Sequence, residues 1–361
     1  MTRMLALALT AALLTACGGG AQSSLAPELG RAKPQAVSRM SRGVALAEDD
    51  RHAEAVSELE AAVAADANLW EARYDLGLLL AQRGELKRAE DELGKAYELA
   101  PTAEDVALAL AEVRRRRGNP RAAADVLLQF VERHPQAMSA RIAAIAVLRD
   151  AGRADEAIEM AQSVLLHRPG DGQVLAELAL SHLAKKETDT AQLLSDESLK
   201  AAPDSAAVQR TAGLVALERG DDALAFRHFA RASELDPKET TARSNVATVL
   251  LQAGVFERAA EEFRAVLAVA PQDVAARIGL AGALRGQGTR DNPAPYREAE
   301  KILLEVLKTD PGNLAANFNL GLLYTDYLKQ PAKAAPLLKQ FLANAPDDHP
   351  ERPLAQKRLT P

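Results

Sequence analysis

The sequence predicts an all-α protein, an array of about nine helical hairpins, and three observations predict it. Prolines recur every 34 residues, at Pro101, Pro135, Pro169, Pro203, Pro237 and Pro271. Glycines keep the same spacing at Gly84, Gly118, Gly152, Gly220, Gly254 and Gly288, with Lys186 in the one gap. Two further rows share this phase: Ala55, Ala89, Ala123, Ala157, Ala191, Ala225 and Ala259, and Gly43, Gly77, Ala111, Ile145, Ala179, Gly213, Ala247 and Ala281. Four rows in one phase do not arise by chance. The composition agrees, because alanine is abundant and aromatics make up only 4% of the 361 residues. That balance suits strong helix propensity and close helix–helix approach.

The elements follow in chain order. Residues 1–16 read as a signal segment: Arg3 supplies a short positive region, and Met4 to Leu14 is an apolar run too short to span a bilayer comfortably. The run ends in Leu14-Thr15-Ala16-Cys17, which resembles the bacterial lipobox. The resemblance implies cleavage before Cys17, diacylglycerol on its sulfur and acylation of the new amine. More than one acyl chain makes such an anchor stable. An ordinary secretory signal with a coincidental cysteine is the alternative. Against it, Cys17 is the only cysteine of the chain and Gly18-Gly19-Gly20 follows it. Gly18 in place of aspartate favours the outer membrane, facing the periplasm, by resemblance to enterobacterial sorting. Residues 17–35 are rich in Gly, Ser and Pro and read as a flexible tether.

Repeats are expected at 36–69, 70–103, 104–137, 138–171, 172–205, 206–239, 240–273, 274–313 and 314–348, with a C-terminal cap over 349–361. Within each, helix A carries a small residue at position 8 that lets helix B approach. Glycine at position 15 ends helix A in a left-handed turn. Alanine at position 20 sits at the helix crossing, and proline at position 32 stops helix B. Repeat 8 carries six extra residues around Gly288 to Tyr296, and repeat 9 carries one, which moves the prolines to Pro311 and Pro346. Repeat 5 has Lys186 for glycine and Ser195 and Ser198 at packing positions, so it is expected to be the loosest hairpin. Pro350 to Leu359 is expected to form a short helix over the last apolar face.

These positions resemble the tetratricopeptide repeat. Repeat 2 matches as Leu76, Gly77, Leu80, Ala89, Leu93, Ala96 and Pro101; repeat 7 as Val246, Ala247, Leu250, Ala259, Phe263, Val266 and Pro271; repeat 9 keeps Leu320, Gly321 and Tyr324. The resemblance covers residues 36–348 and implies a right-handed α-solenoid whose A helices line a concave groove. It places positions 2, 5, 9, 12 and 13 of helix A on that groove. The implied peptide-binding residues are Tyr74 and Leu78, Leu108 with Glu112 and Arg115, Ile142, Leu180, Arg210 and Leu214, and Phe318 with Leu322. The lining is apolar in repeats 2 to 6, which suits an extended or helical peptide with apolar anchors. A register one residue off would instead turn these side chains inward. No repeat has the Lys and Asn pair at positions 5 and 9 that chaperone-tail binders of this family use. Arg114-Arg115-Arg116-Arg117 has two readings, favourable placement at a helix C-terminus or an acidic docking patch, and the first is preferred.

The net charge of −6 argues against nucleic acid as a partner. The six histidines are scattered and imply no metal, and no cofactor or small-molecule substrate is implied. There is no GxSxG, HExxH or phosphate-binding glycine loop, so no enzyme is expected. The expected function is a lipid-anchored scaffold that binds protein partners of the bacterial envelope. Similar lipoproteins help assemble gliding-motility, type IV pilus or secretion machines. The alternatives are a self-associating structural protein or an accessory module of a cell-wall or outer-membrane biogenesis enzyme.

Overall fold

A computed structural model describes residues 32–359, so the signal segment, Cys17 and most of the tether lie outside the described residues. The described residues form nineteen α-helices and one π-helical turn, with no strand. They divide into two compact units between Pro203 and Asp204.

The first unit holds five hairpins: α1 (Pro34–Glu48) with α2 (His52–Ala65), α3 (Trp70–Gln82) with α4 (Leu86–Leu99), α5 (Glu104–Arg116) with α6 (Pro120–Arg133), α7 (Met138–Asp150) with α8 (Ala154–His167), and α9 (Gly172–Ala184) with α10 (Thr188–Ala201). The second holds α11 (Ala206–Glu218) with α12 (Asp222–Leu235), α13 (Thr240–Gln252) with α14 (Phe256–Val269), α15 (Val274–Gln287) with α16 (Ala294–Thr309), and α17 (Leu314–Leu322) with α18 (Pro331–Asn344), then α19 (Arg352–Leu359). From repeat 2 onward every A helix begins on the residue that the period assigns. The first begins two residues early. Pro34 occupies its first turn, the Lys33 amide donates to Asp66 Oδ2 at 3.0 Å, and Lys33 Nζ reaches the Ala65 carbonyl at 2.8 Å. The first helix therefore starts at Pro34, with Lys33 already held, rather than at residue 36.

Each row of the sequence does a distinct job. Ala55, Ala89, Ala123, Ala157, Ala191, Ala225 and Ala259 are all fully buried at the crossings. Position 8 meets position 24 of the same hairpin: a Cβ on Gly43 would lie 2.7 Å from Leu59 Cγ, and Gly77, Gly213 and Gly321 are equally close to Leu93, Phe229 and Leu338. In repeat 4 the sizes reverse, with Ile145 at position 8 and Ala161 at position 24, both fully buried. The pair keeps its summed volume while the members exchange sizes, as close packing demands.

Position 15 takes a left-handed conformation where the row has glycine, as at Gly84 (φ +80°), and keeps it even where it has Asp50 or Lys186 (φ 58° and 63°). Gly288 departs: its φ is −65°. The six-residue insertion replaces the tight turn there. The Thr289 amide donates to the Asn292 carbonyl at 3.1 Å, and Tyr296 Oη donates to the Gly288 carbonyl at 2.6 Å. The Tyr296 ring also occupies the space that a Gly288 side chain would need.

Repeat 9 absorbs its extra residue inside helix A. After α17 the chain widens into a π-helical turn, Leu323–Tyr327, and the Leu328 amide donates to the Leu323 carbonyl at 2.9 Å. One inserted residue in a helix is what produces such a bulge. The turn presents Asp326, whose carboxylate takes Arg358 of α19 at 2.7 Å. Arg352 caps α18 from the same short helix, donating to the Leu342 and Ala345 carbonyls at 2.8 and 2.7 Å. Ala355 is fully buried beneath it.

Repeat 5 is not loose. Its small residues bring its helices together: Ser198 Oγ donates to the Gly172 carbonyl at 2.7 Å, and a Cβ on Gly172 would lie 2.7 Å from Ala202 Cβ. What changes is the kind of packing. The apolar core of the first unit runs from Ala36 to Leu178, whereas α10 buries only Ala191, Ser195 and Ser198.

Exchanging sizes at one crossing tests this account. Gly213→Ile, placed against Phe229, should cost about 2–3 kcal/mol in urea unfolding, the usual range for overpacking. Adding Phe229→Ala recreates the arrangement of repeat 4 and should restore at least half of the loss. Equal stability of the single and double variants would mean that the pair does not set the crossing.

Candidate peptide-binding groove

The geometry of each unit follows from which helices touch. In the first unit each A helix contacts the A helix of the next repeat, α1 to α3 and on to α9, while the B helices make no comparable contact with one another. The second unit repeats this from α13 through α15 to α17. The A helices therefore lie closer together than the B helices and form the inner side of each unit.

The residues at positions 5 and 9 of these helices lie at different depths. Tyr74, Leu108, Ile142 and Leu180 are half-buried, as are Glu112, Arg210 and Leu214. Tyr74, Leu108, Ile142, Leu180 and Leu214 leave part of their apolar surface exposed. Leu78, Phe318 and Leu322 do not, since they are only 4%, 6% and 7% exposed, and they belong to the wall rather than the contact surface. In the last repeat the cause is visible. α19 packs on α17, Phe318 stacks against Phe341 of its own hairpin at 5.0 Å, and both Phe318 and Leu322 join the unit's core.

The charged members are paired. Arg210 meets Glu239, which also caps α13, at 3.6 Å. Arg115 bonds Glu112 at 2.8 Å and reaches Asp150 of the next repeat at 3.5 Å, and Glu112 holds its guanidinium above the ordinary arginine range. Arg114 bonds Glu90 at 3.0 Å, and Arg117 pairs with the same carboxylate. The arginine run thus ties helix A of repeat 3 to helix B of repeat 2. Arg116 is exposed and stands outside this pairing.

Two arrangements could not be read from the sequence. One is a ladder from position 12 of a repeat to position 6 of the next: Arg149 pairs with Glu177, and Arg285 Nη1 donates to Asn319 Oδ1 at 3.0 Å. The signal was an arginine and a hydrogen-bond acceptor at those two positions, which only the structure shows to be neighbours. The other is an acidic pair on α3, Glu71 and Asp75, both buried one turn apart. Burial first, then the Glu71 charge, pushes Asp75 up to about 7. Burial, with the nearby Asp105 and Asp75, also raises Tyr74.

Tetratricopeptide repeat profiles match residues 40–104, 108–173, 247–291 and 296–349, and a second profile of the same description matches 148–213. The chain belongs to the tetratricopeptide repeat family. Its repeats are similar in fold to a chain of the APC/C hetero-tetramer Cut9–Hcn1, with a TM-score of 0.58 at 17% identity over 90% of this chain and 75% of that one. A thermophilic tetratricopeptide repeat protein of Thermus thermophilus aligns at 21% identity over 50% of this chain and 99% of its own, with a TM-score of 0.46. Yeast Tom70 aligns at 15% identity over 89% and 94%, with a TM-score of 0.33. No curated protein matches the sequence. Tetratricopeptide repeats bind proteins, so the chain is a protein-interaction scaffold.

Two outcomes check the electrostatics. Glu90→Gln leaves Arg114 and Arg117 without their shared carboxylate and should cost about 1 kcal/mol, less at high salt, in denaturant titrations. Asp75 has a folded pKa above its unfolded value, so its contribution is present in acid, below about pH 4, and is lost as pH rises through about 7. Asp75→Asn should therefore stabilise the protein at pH 8 and change little at pH 3. An equal effect at both pH values would contradict the burial of its charge.

Proposed function

We propose that this tetratricopeptide repeat protein is a lipid-anchored scaffold of the bacterial envelope, tied through Cys17 to the periplasmic face of the outer membrane. There it binds protein partners on the inner side of its A helices and helps hold or assemble a larger machine, of the gliding-motility, pilus or secretion kind. The observation that carries the binding role is the half-buried apolar row Tyr74, Leu108, Ile142 and Leu180. Apolar side chains left at intermediate exposure on the A helices of successive repeats offer a strip for an extended or helical peptide, whose own apolar residues complete their burial.

The anchor rests on the sequence around Leu14-Thr15-Ala16-Cys17 and on the glycines after it. A tether of roughly fifteen residues reaches about 20–25 Å by chain statistics, so the first hairpin works close to the lipid surface. The interaction is therefore confined to partners near that membrane. No enzymatic step is proposed: the row offers apolar contact and paired charges rather than an activated nucleophile or an acid–base pair.

The two halves of the proposal are separable. Cys17→Ser should abolish incorporation of labelled palmitate and move the protein from the membrane to the soluble fraction after osmotic lysis. In-cell crosslinking of the anchored protein should recover envelope partners, and Tyr74→Glu, Leu108→Glu and Leu180→Glu together should reduce that recovery at least tenfold. Retention in the membrane without Cys17 would reject the anchor; unchanged partners in the triple variant would reject the row.

A further inference from the structure

The ladder from position 12 to position 6 occurs once in each unit, and the two rungs differ in charge. Arg149 meets Glu177, so that rung is neutral. Arg285 meets Asn319, which has no charge to offer. Asn319 is held for this role, since its Nδ2 donates to the Ala315 carbonyl at 2.8 Å and so turns Oδ1 toward the arginine. Arg285 is half-buried, and among the described residues no carboxylate forms an ion pair with it. A partly desolvated guanidinium without a counter-charge is costly unless a ligand supplies one.

The surroundings say what kind of ligand. Arg285 stands at the edge of a recess of about 330 Å³, walled by Leu251, Phe256, Ile278 and Tyr327. The recess opens over Gly282, at position 9 of its repeat, where a Cβ would have Leu251 Cδ2 as its nearest neighbour, at 3.4 Å. Its size lies at the low end for ligand sites and suits one or two side chains. Nη1 of Arg285 is engaged by Asn319, which leaves the Nε–Nη2 edge for two parallel hydrogen bonds, the geometry that a carboxylate takes best.

We infer that this recess is a docking site for a partner segment that places an aspartate or glutamate side chain on Arg285 and the adjacent apolar side chain over Gly282. The site deepens the scaffold reading and rests on it, but it lies wholly in the second unit and uses none of the residues of the Tyr74–Leu180 row. Charge complementarity fixes the acidic member, and the apolar walls fix its neighbour.

Peptides of twelve random residues, displayed on phage and selected on the full chain in detergent micelles, test this. Selected peptides should share an acidic residue next to Leu, Met or Phe. A synthetic copy of the best one should bind Arg285→Gln at least tenfold more weakly, the loss expected of one charge-assisted pair. Selection on Arg285→Glu should favour Lys or Arg at the same place. Gly282→Leu fills the recess and should weaken the peptide at least tenfold, with Gly282→Ala as a milder variant should the first fold poorly by circular dichroism. The variant with Tyr74, Leu108 and Leu180 changed to glutamate should bind the peptide as the native chain does, so failure of that row and failure of this site are told apart. Absence of any enriched peptide, acidic enrichment that persists on Arg285→Gln, or binding indifferent to both Gly282 variants overturns the assignment.

Discussion

Every hairpin depends on how closely helix A can approach helix B, and that distance is set where position 8 meets position 24. Glycine faces leucine or phenylalanine in repeats 1, 2, 6 and 9, while Ile145 and Ala161 exchange the sizes in repeat 4. Alanine at position 20 holds the same approach one turn away. A uniform approach gives a uniform hairpin, and uniform hairpins can stack with the same faces meeting each time. The alanine-rich composition, with few aromatics, is the consequence. Close crossings exclude large side chains from one partner of each pair, and the large partners there, such as Leu59, Leu93 and Phe229, are fully enclosed.

The period made the hairpins and the starts of eight A helices readable, because proline, glycine and alanine each act through backbone or steric rules that need no tertiary context. The start of the first helix was not readable. Lys33 is held by Asp66, which lies 33 residues away in sequence and becomes a neighbour only when α1 and α2 pair. Gly288 carries the right residue for a left-handed turn, but the insertion removed the need for one. The site was half readable. Register gave the spacing of positions 5 and 9, but depth depends on what packs around them, and Phe318 and Leu322 are drawn into the core of their unit, where Phe318 stacks on Phe341. Repeat 5 shows a related gap. Serines at packing positions suggest looseness, yet a hydroxyl that finds a buried carbonyl, as Ser198 finds Gly172, packs as tightly as an aliphatic group and adds direction.

Ion pairs join one repeat to the next alongside the shared apolar core. Arg114 and Arg117 share Glu90, Arg115 reaches Asp150, Arg149 pairs with Glu177 and Arg264 meets Glu298. Such pairs add little energy each at the surface. Their value is in register, because a charge placed opposite the wrong residue of a repeated surface is left unpaired. A stack of near-identical hairpins has many possible offsets, and a pattern of charges that differs from step to step allows one of them.

The π-helical turn in the last hairpin bears on what can pack against that end of the array. One extra residue would turn the chain beyond it by about 100° in a regular α-helix, and the wider π turn takes that residue up locally instead. The strictly periodic hairpins keep the same small-residue surface at their crossings, although the charges that join one to the next differ. A copy added beyond the π turn would meet Asp326, Tyr324 and α19 in place of that surface. The bulged hairpin therefore presents to whatever packs on it a face that the 34-residue pattern does not encode.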